Sequence, residues 1–136
     1  MRVLVIDGMG GGIGKLVIEK LKAGLGQVEI MAVGTNTVAT TVMLKAGADY
    51  AATGENAVVY NCTQADYIIG AVGIMLANSM HGEVSPSMAA AVCQSAAHKI
   101  LIPIEKCNVT VMGVVAAPMQ VYVDEVVEKL QGDLTS

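Results

Sequence analysis

The chain alternates short β-branched apolar runs with segments of helical period. Val3 to Ile6 is apolar at every position, as a strand covered on both faces requires. Glycines follow, and then Ile13, Leu16, Val17 and Leu21 recur at helical spacing from Ile13 to Ala23, with Gly24 at the stop. Val28 to Val33 predicts a second strand, and Thr37 to Ala46 a helix ended by Gly47. Ala48 to Ala52 predicts a short third strand, and Glu55 to Gln64 a further helical segment. Tyr67 to Val72 predicts a fourth strand near the centre of the sheet. Ser85-Pro86 marks a helix start, because serine caps and proline suits the first turn, and an alanine-rich stretch carries that helix to about His98. Ile100 to Ile104 predicts a fifth strand. Only Glu105 to Asn108 separate it from the apolar run Val109 to Val115. A parallel crossover needs a dozen or more residues, so an antiparallel hairpin is expected there. Val121 to Leu130 closes the pattern as a helix with Val123, Val126, Val127 and Leu130 on one face.

Such alternation predicts an α/β fold: a three-layer domain with a mostly parallel sheet and an antiparallel last strand. No linker, repeat or charge block divides the 136 residues, so a single domain over 1–136 is expected. With 54% hydrophobic and 15% charged residues, the chain is not a disordered one. Its densest apolar stretch, Val109 to Val123, is interrupted by Thr110, Gly113, Pro118 and Gln120, so no membrane span is expected. Asp7 and the glycines arrive too early for a signal peptide. Cys62, Cys93 and Cys107 are odd in number and lack CxxC spacing, which points to a reduced, cytoplasmic protein without a zinc site. The net charge is -4 and Arg2 is the only arginine, so nucleic acid is not an expected partner. So apolar a small chain is expected to hide surface between copies, as a homo-oligomer.

Candidate chemistry concentrates in Val5-Ile6-Asp7-Gly8-Met9-Gly10-Gly11-Gly12-Ile13-Gly14-Lys15. A glycine turn that leaves a strand and opens a helix lets a ligand approach bare backbone, and the free N–H groups at the helix start face an anion. That arrangement holds a diphosphate without arginines. Lys15, in the first turn, can reach a phosphate. The turn resembles those of Rossmann-type dinucleotide-binding families, most closely the G-x-x-x-G-x-G variant of short-chain dehydrogenases, through Gly8, Gly12 and Gly14. The stricter G-x-G-x-x-G fails, because Ile13 falls in its last place. The P-loop pattern fails as well, since Met9 takes its first glycine place and Leu16 follows Lys15.

The resemblance implies a Rossmann-like fold and a nucleotide ligand, with NAD or NADP as possible cofactors. A dinucleotide fold places a carboxylate at the end of the second strand to hold the ribose. Here that end reads Val33-Gly34-Thr35-Asn36, so Thr35 and Asn36 become the candidates for a ribose or a 2′-phosphate. The dehydrogenase Tyr-x-x-x-Lys pair is missing, because Tyr50, Tyr60, Tyr67 and Tyr122 are followed at that spacing by Gly54, Gln64, Ala71 and Val126. Asp7 stands where a carboxylate would repel phosphate. A bound cation, a hydrogen bond from the glycine turn, or a ligand placed elsewhere would each accommodate it. The whole chain is also similar to a small bacterial Rossmann-like family of unknown function, through Ala77-Asn78-Ser79-Met80, Gly82-Glu83 and Ile102-Pro103-Ile104. That similarity implies the fold and no particular activity.

Ligands in open α/β sheets bind outside the carboxyl ends of the strands, where the strand order reverses. The loops expected there are Asp7 to Gly14, Gly34 to Thr37, Gly73 to Ser85 and Glu105 to Asn108. The third carries Asn78, Ser79, His81 and Glu83, either as ligand contacts or as a polar loop leading into a helix cap. Cys107 sits beside Lys106, whose ammonium would favour a thiolate, although an ordinary turn thiol fits the same position. Cys62 and Cys93 are expected in the core, and His98 at a helix end, where it suits the dipole. No nucleophile–base pair, metal cluster or carboxylate pair is readable, so no catalytic residue is assigned. Three readings stay open: a nucleotide- or dinucleotide-binding protein, an NAD(P)-dependent oxidoreductase with His81 or Glu83 in proton transfer, and a non-catalytic structural or regulatory oligomer.

Overall fold

A computed structural model describes residues 1–104 and 108–135. Five strands form one sheet: β1 (Arg2–Asp7), β2 (Glu29–Gly34), β3 (Tyr50–Thr53), β4 (Tyr67–Ala71) and β5 (His98–Ile102). Their order is β3-β2-β1-β4-β5, and every pairing is parallel. Among the described residues five helices accompany them: α1 (Gly12–Gly24), α2 (Thr37–Lys45), α3 (Glu55–Cys62), α4 (Pro86–Gln94) and α5 (Met119–Thr135). A single 3₁₀ turn, Val72–Met75, follows β4. The order is that of a doubly wound Rossmann-type sheet without its sixth strand.

Strand pleating divides the core into two halves. Val3 and Val5 of β1 pack with Val17, Leu21, Met43 and Leu130, which brings α1, α2 and α5 onto one face. Leu4 and Ile6, the alternate residues, pack with Val58, Ile74, Met88 and Val92, which brings α3 and α4 onto the other. The chain winds outward from β1 through β2 to β3, then crosses back to lay β4 on the opposite side of β1. Reversal between β1 and β4 opens a crevice at their carboxyl ends, the place where such sheets take ligands.

The expected antiparallel last strand is corrected. Among the described residues, positions 109–118 form no strand, and the sheet ends at β5. Apolar β-branched composition suits a strand only where there is a surface to pack on. Here Met112 is 87% exposed and Val115 is 80% exposed, and Gly113 turns the backbone at φ 86°. So short a connection would join two strands only as an antiparallel hairpin, but among the described residues there is no second strand. Residues 105–107, which include Cys107, lie outside the described residues.

The alanine-rich helix also ends earlier than expected, at Gln94. Ser95 stops it by hydrogen bonding: its Oγ donates to the Cys62 carbonyl at 2.6 Å and accepts the Ala97 N–H at 3.1 Å. A serine that offers the backbone such alternatives outweighs the helix propensity of the alanines after it. His98 therefore opens β5 beside Tyr67 and does not close a helix. Cys62 is buried as expected, whereas Cys93 is exposed on α4. Burial pushes the Cys62 thiol up to about 11.

Candidate functional site

The glycine turn begins at Asp7, the last residue of β1, whose side chain is only 5% exposed. Its Oδ1 accepts the Gly8 N–H at 2.8 Å and its Oδ2 accepts the Gly14 N–H at 2.7 Å. A strand carboxylate thus caps the first turn of α1. The hydrogen bond from the turn, one of the three ways to accommodate Asp7, is thus present. Burial raises the Asp7 pKa above its ordinary value, the amides of Gly14, Gly8 and Ile13 draw it back, and the charge of Glu83 raises it further.

The glycines of the turn are not equivalent. A Cβ on Gly8 would lie 2.5 Å from Thr35 Oγ1, 2.7 Å from Met80 Sδ and 2.9 Å from Glu83 Oε1. Gly14 lies against Met43, which lets α1 settle onto α2. Gly11 takes φ 74° at the head of α1. Gly10 and Gly12, by contrast, have nothing within 4 Å of a Cβ position. Among the described residues no protein acceptor takes the N–H of either one.

Those two glycines open onto a cavity of about 750 Å³ at the switch point. Its floor is the turn from Asp7 to Ile13. Its walls are largely apolar: Leu16 from α1, Ala71 from the end of β4, Met80 from the loop beyond, and Ile104 and Met119 from the ends of the segment leading to α5. Asn78 and His81, both exposed, bring polar groups to its edge. The volume lies within the range of about 300–1,000 Å³ usual for small-molecule sites.

The loop that contributes Asn78, Met80 and His81 is tightly folded. Asn78 donates its N–H to the Val84 carbonyl at 2.6 Å, and Ser79 donates its hydroxyl to the Gly73 carbonyl. Asn78, Met80 and His81 all take left-handed φ angles of 67°, 57° and 56°. Residues other than glycine adopt that region at a cost on the order of 1–3 kcal/mol each, so the surrounding bonds must hold them there.

Glu83 anchors the end of this loop across the glycine turn. Its Oε1 accepts from Thr35 Oγ1 at 2.6 Å, from the Met9 N–H at 2.9 Å and from Asn36 Nδ2 at 2.9 Å. The Thr35 hydroxyl, the Met9 amide and Asn36 hold its carboxyl below the usual range against some burial, with His81 assisting. Asn36 also donates to the Met9 carbonyl at 2.9 Å and caps α2 through the Ala39 N–H.

The sequence-derived candidates therefore divide. Asp7, Gly8, Gly10, Gly11, Gly12, Ile13, Asn78 and His81 meet around the cavity. Thr35, Asn36 and Glu83 meet one another on the β2 side, outside its lining. Ser79 is buried as a clamp within its loop, Gly14 is packed within α1 against Met43 of α2, and Lys15 is exposed on α1 without lining the cavity. Leu16, Ile104 and Met119 were missed as wall residues. Their apolar character hid them, although Ile104 could have been found from its place just past the carboxyl end of a strand beside the switch point.

A family described as a domain of unknown function (DUF3842) matches residues 2–135. The chain belongs to that family. No curated protein matches this DUF3842 chain. Among solved structures it is similar to the crystal structure of a dodecameric FMN-dependent UbiX-like decarboxylase from Escherichia coli O157:H7. The two are 16% identical, with a TM-score of 0.48 over 96% of this chain and 77% of that one. A likeness at that level says nothing about a ligand. Among the described residues no helix is long and apolar enough to cross a membrane, and no group of His, Cys, Asp and Glu has metal-binding geometry.

Proposed function

We propose that this chain is a single nucleotide-binding domain over 1–136 and that its nucleotide or dinucleotide ligand occupies the switch-point cavity. The floor at Gly10 and Gly12 carries the reading: there the backbone is bare, open and without a protein acceptor. Amides at a helix start attract phosphate, and the Asp7 carboxylate, already bonded inside the turn, moves the preferred anion position outward to these two residues. The apolar wall of Leu16, Ile104 and Met119 suits the flat face of a base. A bound nicotinamide nucleotide would supply hydride exchange, with His81 the titratable group at the cavity edge for moving a proton. No catalytic residue is assigned. Exposure of Met112 and Val115 supports the expected homo-oligomer.

A second reading, a non-catalytic structural or regulatory oligomer, is favoured by Asp7 itself, which satisfies turn amides without any ligand. Thermal shift measurements with AMP, ATP, FMN, NAD(H), NADP(H), FAD and coenzyme A separate the two. A nucleotide at about 100 times its dissociation constant should stabilise the fold by about 2.7 kcal/mol. Gly12→Val, which fills the open position, should abolish that shift and leave the unliganded fold intact. No shift with any of these ligands would favour the second reading.

A further inference from the structure

We infer that Glu83 is a latch that closes the β2 side of the glycine turn, so that the site accepts a mononucleotide and excludes the second nucleoside of a dinucleotide. This rests on the nucleotide reading above and adds the class of nucleotide. In dinucleotide folds the second nucleoside crosses the turn and places its ribose at the end of β2, against a carboxylate carried there. Here the end of β2 offers Thr35 and Asn36, and both are bonded to a carboxylate that comes from the loop after β4.

Three features together close the path. Glu83 Oε1 takes its three donors from the glycine turn, from the end of β2 and from the start of α2, and so ties the 78–83 loop to all of them. Above Gly8, the groups of Thr35, Met80 and Glu83 come within 3 Å of a single Cβ position, so the turn is covered there by protein atoms. The cavity meanwhile is lined by the glycine turn, α1 and the residues at and beyond the end of β4, and none of Thr35, Asn36 and Glu83 lines it. A ligand with one phosphate over Gly10 and Gly12 stays within that space. A ligand with two nucleosides must break the Glu83 bonds and leave the Thr35 hydroxyl, the Asn36 amide and the Met9 N–H without their acceptor.

Affinities for FMN, AMP and nicotinamide mononucleotide, each set against FAD and NAD, test the latch in the full-length protein. The expected result is that at least one mononucleotide binds more tightly than its dinucleotide by about tenfold or more, and that Glu83→Ala narrows the ratio by relieving the exclusion. Thr35→Val removes one of the three donors by an independent route and should narrow the ratio in the same direction, which keeps the test available if Glu83→Ala does not fold. Amide hydrogen exchange at Met9 provides a readout that needs no ligand: it should be slow in the wild type and faster in either variant. Equal binding of mononucleotide and dinucleotide, an unchanged ratio in a folded variant, or rapid exchange at Met9 in the wild type each overturns the latch while leaving the nucleotide reading in place. Binding of no nucleotide of either size overturns that reading, and the latch's role in ligand choice with it.

Discussion

The Asp7 carboxylate accepts the N–H of Gly14 at 2.7 Å, joining the last residue of β1 to the first turn of the helix that follows. One buried charge thereby sets the strand–helix junction and leaves only the outer part of the turn open to a ligand.

Asp7→Asn keeps the side-chain shape and removes the charge. The folded-state pKa of Asp7 lies above its ordinary 3.8, with burial the largest cause. Folded protein therefore holds the proton more tightly than the unfolded chain. That stability is fully present below the unfolded value and is lost as pH rises through the folded one. Wild type should lose stability relative to Asp7→Asn over this window, measured as urea midpoints from about pH 3 to about pH 7. A relative gain as pH rises would show that the amides, and not burial, dominate.

Glu83→Gln should show the opposite slope. Its folded-state pKa lies below the ordinary 4.5, with the Thr35 hydroxyl the largest cause. The stability it contributes is present above that ordinary value and is lost as pH falls through the folded one. The advantage of wild type over Glu83→Gln should therefore be greatest near neutral pH and shrink in acid. Parallel urea titrations of the two proteins check this, and an advantage that grows in acid would contradict it.

Two glycines only two residues apart should respond differently to alanine. Gly14→Ala drives a methyl group into the Met43 side chain, 2.8 Å from its Cγ, and toward Asp7 Cβ at 3.2 Å. Overpacking of that kind costs about 1–3 kcal/mol. Gly12→Ala meets nothing and removes backbone freedom from a helical position, so it should be neutral or stabilising by up to about 1 kcal/mol. Denaturant unfolding of the two variants under one set of conditions decides between these outcomes.

Asn36→Ala removes the α2 cap and both side-chain donations, to Met9 and to Glu83. Loss of the cap costs about 1 kcal/mol and the remaining bonds bring the total to about 2 kcal/mol. Asn36→Asp keeps a capping oxygen but sets a second carboxylate against Glu83. It should be destabilised at neutral pH and recover as either carboxylate is protonated, an effect visible in melting temperatures at two pH values.

Most of the framework was legible because its signals are local. A strand buried on both faces has to be apolar at consecutive positions, as Val3 to Ile6 is, and the proline after Ser85 starts a helix by its own geometry. The misread parts depend on surroundings. Val109 to Val115 has the composition of a strand but no neighbour to pair with, and Ser95 ends an alanine-rich helix through a carbonyl 33 residues away. In the site, the glycine turn was readable because strand, glycines and helix are adjacent in sequence. The bond between Glu83 and Thr35 was not, because the two lie 48 positions apart in the sequence and only the reversal of strand order brings them together. Thr35 and Asn36 look free to meet a ribose until that carboxylate is placed beside them.

The capping of α1 by Asp7 also bears on how a ligand would respond to ionic strength. With a negative side chain already seated at the positive end of the helix, an approaching anion meets a weakened field, and most of its attraction must come from short-range contact with bare amides and greasy walls. Recognition of that kind would be nearly as firm in concentrated salt as in dilute buffer.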